Sequence, residues 1–134
     1  MRKFYLFAAI VFLGCLLIIE TASSGQSKSI SGIYSDLHYN DEGGDLLGME
    51  LFIFPSGPGP ELKYSVLVQI SEGGAPVAAL VPLIVKGTTI TFNLPPSHVY
   101  ANIGFSGKLV GDELLIRWST GTEQRLKRGK SYWQ

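Results

Sequence analysis

Apolar and polar residues alternate with a period of two along most of the chain beyond residue 31, the pattern of β-strands with one buried face. The clearest case is Lys63 to Ile70, where Tyr64, Val66, Val68 and Ile70 share one face and Ser65, Leu67 and Gln69 the other. Ile90, Phe92 and Leu94 alternate with Thr89, Thr91 and Asn93, and Phe105, Gly107 and Leu109 with Ser106 and Lys108 in a strand predicted over 100–109. Leu114, Ile116 and Trp118 resume the rhythm against Leu115 and Arg117. Residues 32–37 predict a first strand and 39–45 a loop. In the next strand, 48–54, Met49, Leu51 and Ile53 lie on one face and Phe52 and Phe54 on the other, so alternation does not choose the buried side. Residues 77–85 are continuously apolar apart from Pro82, which cannot donate a ladder hydrogen bond and predicts a bulge or a sheet edge. In the last strand, 122–128, Gln124, Leu126 and Arg128 oppose Glu123, Arg125 and Lys127, a mostly polar pattern that predicts a solvated strand closing the sheet.

Gly, Pro, Asn and Asp punctuate these runs at 39–45, 55–60, 72–74, 86–87, 95–96, 111–112 and 121, and no stretch beyond residue 24 sustains a helical period. The reading is all-β. About eight short antiparallel strands in an up-and-down meander form a small barrel, or a partly open barrel or sandwich.

The N-terminus carries a different signal. Met1-Arg2-Lys3 is basic, Phe4 to Ile19 is uninterruptedly apolar, and residues 20–24 are polar and small, the layout of a secretory signal with Ala22 and Ser24 suited to cleavage before Gly25. Two other readings stand beside it: the run stays as an uncleaved anchor, or Phe12-Leu13-Gly14-Cys15 acts as a lipobox and Cys15 is lipidated. Against the lipobox, Phe12 stands where Leu is usual and the chain stays apolar after Cys15. All three predict export to a bacterial periplasm or beyond. The expected division is a signal or anchor over 1–24, a flexible linker over 25–31 and a single domain over 32–134. Cys15 is the only cysteine, so core packing alone must hold that domain together.

Gly32-Ile33-Tyr34 resembles the Gly-x-Trp or Gly-x-Tyr that opens the first strand of calycin barrels, the architecture of lipocalins and avidins. Phe105-Ser106-Gly107 and Leu114 to Trp118 look like late strands of an avidin-like meander. The resemblance implies a site for a small, largely apolar ligand at the barrel's open end. Pro82 departs from the pattern and puts full closure in question.

The chain has 11 acidic and 11 basic residues, a balance that argues against nucleic-acid binding through bulk charge. Tyr64, Phe92, Phe105 and Trp118 are the candidate lining of a ligand cavity, with Tyr34 and Arg117 as polar handles; the same residues equally suit a filled core. Asp36, His38 and Asn40 would share a strand face, but their spacing fits no recognised calcium loop and reads as a solvated acidic turn. His98, after two prolines, reads as an exposed loop histidine within reach of a barrel mouth. No nucleophile has a partner identifiable by spacing, so neither an enzyme nor a cofactor or metal is expected. Arg125, Lys127, Arg128 and Lys130, followed by Tyr132 and Trp133, form a basic and aromatic run suited to an envelope protein or to an anionic lipid or glycan. Two functions follow: an exported barrel binding an apolar or amphipathic small molecule, or an interaction or inhibitor domain with a filled core that acts through its surface.

Overall fold

The computed structural model describes residues 29–57 and 62–134, and they form one antiparallel sheet closed on itself. Its strands are β1 (Gly32–Ser35), β2 (His38–Asn40), β3 (Asp45–Ser56), β4 (Lys63–Glu72), β5 (Val77–Lys86), β6 (Thr89–Asn93), β7 (Gly104–Val110), β8 (Glu113–Trp118) and β9 (Glu123–Gly129). Each strand from β3 to β9 pairs with the next, and β1 closes the barrel by pairing with both β9 and β3. Eight strands make the wall, and β2 extends the line of β1 along the first part of β3. The expected signal segment, and most of the linker, lie outside the described residues.

Closure makes one face of each of the eight wall strands a core. Met49, Leu51 and Ile53 point inward with Val66, Val68 and Ile70, which resolves the ambiguity of the doubly apolar strand and leaves Phe52 and Phe54 outside. Ile90, Phe92, Phe105, Leu109, Leu114, Ile116 and Trp118 complete the interior from the other side. Fully burying an aliphatic or aromatic side chain of this kind contributes about 1.5–3 kcal/mol. Gly107 is part of this packing: a Cβ there would sit 2.7 Å from Ile116 Cδ1 and 2.8 Å from Ile90 Cγ1, so its absence lets two isoleucines close over the backbone.

The structure corrects four expectations. β9 is no solvated strand, because Leu126 is completely buried and Gln124 and Arg128 also face inward, at opposite ends of the barrel. Of the segment 39–45 expected as a loop, Tyr39 and Asn40 belong to β2 and Asp45 begins β3. Residues 100–103 belong to a loop, in which Ala101 N–H donates to the His98 carbonyl and Ile103 N–H to the Tyr100 carbonyl. Finally, Pro82 does not prevent closure. Gly87-Thr88 is a two-residue turn, and counting the ladder back from its closing pair, Lys86 and Thr89, puts residue 82 where an N–H would donate to β6. Proline has none. The β5–β6 pairing accordingly stops at Ile84, whereas β5 stays paired with β4 straight through Pro82.

Candidate functional site

Two ends and two walls can meet other molecules. The mouth is the end where β1 finishes and the β6–β7 loop, residues 94–103, crosses; the base is the end where residue 29 enters.

At the mouth a column of rings runs from the interior into the loop. Phe92 and Phe105 stack with centroids 5.0 Å apart and planes within 2°, and Trp118 meets Phe105 edge-on at 5.1 Å. Tyr100 meets Trp118 edge-on at 5.6 Å, and His98 lies 5.6 Å from Tyr100. A polar chain borders the column: Trp118 Nε1 donates to Gln124 Oε1 at 2.7 Å, Gln124 Nε2 donates to Asp36 Oδ2 at 3.4 Å, and Asp36 Oδ1 accepts the Met49 N–H at 2.6 Å. Burial raises the Asp36 pKa above the ordinary carboxylate value, opposed by that backbone hydrogen bond and by His38.

Three of the four candidate lining residues, Phe92, Phe105 and Trp118, therefore meet at the mouth. Tyr64 faces inward near the base, at the start of β4. Tyr34 is fully buried, its hydroxyl donating to the Ile30 carbonyl at 3.0 Å and its ring lying 5.2 Å below the Arg128 guanidinium. Burial raises its pKa, with Arg128 pulling the other way. Arg117 lies on the outer wall, ion-paired with Glu123, because β8 alternation sends it opposite to its neighbour Trp118. There it borders an open groove of about 560 Å³ between the outward rows Thr89, Lys108, Leu115, Arg125 and Thr91, Ser106, Arg117, Glu123.

His98 is buried in the mouth loop, contrary to its reading as an exposed histidine. Its Nδ1 accepts the Tyr100 N–H at 3.2 Å, so in the neutral ring Nε2 carries the proton, and that buried Nε2 has no partner. The Tyr100 pKa is pushed up to about 12 by desolvation, then by its hydrogen bond to Glu72 and that carboxylate's charge. Since the folded value exceeds the ordinary 10 of an unfolded tyrosine, its contribution to stability is intact below about pH 10 and is lost as pH rises toward 12. Phenolate absorbance during alkaline titration should show one of the six tyrosines ionising near that upper limit, and Glu72→Gln should bring it down. An unchanged titration in the variant would contradict the contact.

The basic run at the C-terminus is divided among different tasks. Arg125 pairs with Glu113 at 2.6 Å, and Arg128 turns inward over Tyr34 and donates to the Ser29 and Ser31 carbonyls. Lys127 and Lys130 are exposed. The segment after β9 folds back over the outer wall, where Ser131 Oγ and the Tyr132 N–H donate to the buried Glu50 carboxylate at 2.6 and 2.8 Å. Trp133 Nε1 donates to Gln69 Oε1 at 2.8 Å. In sequence Glu50 groups with the acidic residues read as solvated, and the structure corrects that reading: it is buried, and a lone carboxylate inside an apolar strand was a usable signal that it needs a partner.

Beside this strap, the outer wall of β3, β4 and β5 carries exposed apolar side chains. Phe52, Leu67 and Leu80 lie in register across the three strands; in the next row Ser65 separates Phe54 from Pro82, and Ile84 lies beyond. Leu80 is 64% exposed, Ile84 59% and Phe52 43%. Exposed patches of contiguous apolar side chains mark interaction surfaces.

His38 Nδ1 lies 2.8 Å from the Asp36 carbonyl oxygen, and the described residues contain no group of three or more His, Cys, Asp or Glu arranged to hold a metal ion. Comparison with known proteins found no matching family model, no matching curated protein and no matching solved structure. The eight-strand meander agrees with a calycin-like barrel at the level of architecture.

Proposed function

We propose that this chain is a non-catalytic binding module of the bacterial envelope that works through the outside of a filled barrel, with the β3–β5 wall as its working face. The observation that carries this reading is the inversion of ordinary burial on that wall. Phe52 and Leu80 are exposed in one row and Ile84 is exposed two rows nearer the base, while the barrel axis is occupied by side chains such as Leu51, Val68, Leu114 and Ile116 with almost no exposure. The basic N-terminus and apolar run Phe4–Ile19 support export.

Photo-crosslinking tests the face. A photoreactive phenylalanine at position 52 or 80 should form discrete adducts in intact envelopes, and the same group at position 115, on β8 across the barrel from β4, should not. Equal adducts at all three positions, or adducts only at 115, would contradict the proposal.

A second reading, an apolar or amphipathic ligand held at the mouth, is favoured by His98. Its unpartnered Nε2–H carries the 1–3 kcal/mol cost typical of an unsatisfied buried donor, which a ligand acceptor would relieve. Replacement by phenylalanine keeps a ring and removes that donor. His98→Phe should leave binding unchanged on the surface reading and abolish it on the mouth reading.

A further inference from the structure

The charges of the barrel are sorted between its ends. Lys63 begins β4, Lys86 ends β5, Lys108 lies opposite Thr89 at the start of β6, and Lys127 and Lys130 lie at the end of β9 and just past it. All five lysines of the described residues thus fall in the base half, and all are exposed. Asp36, Asp41, Glu42, Asp45, Glu72 and Glu123 lie toward the mouth, at the end of β1, in the β2–β3 turn and at the adjoining strand ends. Asp112 and Glu113, in the β7–β8 turn and at the start of β8, are also at the base, with Glu113 ion-paired to Arg125, and Arg117 at the mouth end of β8 is ion-paired to Glu123. The remaining excess gives a chain of no net charge a cationic pole and an anionic pole.

The apolar wall runs down to the cationic pole. From the row of Phe52, Leu67 and Leu80 it descends through Phe54 and Pro82 to Ile84, where Lys63 and Lys86 flank it. The chain also enters the barrel at this pole, and only residues 20–28 separate the apolar run Phe4–Ile19 from the first described residue. Nine residues reach at most about 30 Å when fully extended. Wherever that apolar run is lodged in a bilayer, the cationic pole is the end held near the surface.

We propose that the base of the barrel, with Phe54, Pro82 and Ile84 beside it, rests on a membrane surface carrying anionic head groups. Lys63, Lys86 and Lys130 lie against the head groups, the apolar side chains enter the interface, and the anionic mouth points away. This rests on the outer wall being the working face and names its partner. A lysine at an anionic surface strengthens binding about five-fold, so these three together favour the docked state by about a hundred-fold.

The test uses the full chain mixed with phosphatidylcholine vesicles, with or without about a third phosphatidylglycerol, and measures amine labelling of each lysine by mass spectrometry. Labelling of Lys63 and Lys86 should fall at least about ten-fold with anionic vesicles, return as salt is raised, and change little with neutral vesicles. The triple variant Lys63→Glu, Lys86→Glu, Lys130→Glu should lose the charge-dependent protection, with alkaline tyrosine titration confirming that it is folded. Equal labelling with both vesicle types overturns the proposal. So does equivalent protection by a soluble polyanion without vesicles, which would assign the pole to an anionic polymer. In either case, crosslinks confined to positions 52 and 80 would leave the wall as the working face.

Discussion

Trp118→Ala should destabilise the barrel by about 3–5 kcal/mol in denaturant melts, the range for removing a large buried aromatic ring. The indole joins three neighbours: the Phe105 ring at 5.1 Å, the Tyr100 ring at 5.6 Å and Gln124 through a 2.7 Å hydrogen bond. Its loss opens a cavity beneath the mouth loop and deprives Gln124 Oε1 of its donor. Trp133→Ala is the internal comparison. That ring is 54% exposed and makes one hydrogen bond to Gln69, so its loss should cost about 1 kcal/mol or less. Similar losses for the two variants would contradict the packing described for the mouth.

Gly48→Ala should cost about 2–4 kcal/mol, for a reason unrelated to core volume. Gly48 has φ of +108°, which L side chains rarely adopt, and an added Cβ would lie 2.6 Å from the Asp36 carbonyl oxygen and 2.7 Å from its Oδ1. The nearest contact is backbone, and the Asp36 carbonyl carbon would also lie at 2.9 Å, so the backbone where β1 meets β3 must shift. The Asp36 N–H donates to the Met49 carbonyl, and Asp36 Oδ1 accepts the Met49 N–H in return. Equilibrium melts should show the loss, and hydrogen exchange should show faster opening at Met49. A loss below about 1 kcal/mol would mean that this junction tolerates an ordinary residue.

The wall strands were legible where one face is apolar and the other polar, as in β4, β6 and β8. β9 was not, and its misreading has a physical cause. A small barrel's interior is apolar at mid-height and meets polar groups at its ends, so a short strand can place one apolar residue, Leu126, between two inward polar ones. Gln124 serves Trp118 and Asp36 at the mouth, and Arg128 serves the Ser29 and Ser31 carbonyls at the base. Pro82 was read as a bulge or an edge that put closure in question; the β4 register instead runs straight through it and only the β6 ladder stops short, because sequence alone does not say which of two neighbours loses the bond. The candidate site was less legible. Alternation groups Trp118 with the other inward residues, but only the register separates Phe92, Phe105 and Trp118 at one end from Tyr64 at the other. His98 and Tyr100 join the column through loop turns that have no periodic signature.

The two tryptophans offer the most direct test of a filled barrel that works from its outside, because one indole N–H bonds to Gln124 inside and the other to Gln69 on the outer wall. Nitrogen-15 NMR of the two indole groups during titration with anionic bicelles reports both at once. A shifted or broadened Trp133 signal beside an unmoved Trp118 signal is the expected result. A Trp118 signal that moves while Trp133 stays fixed would place binding at the mouth and contradict the account.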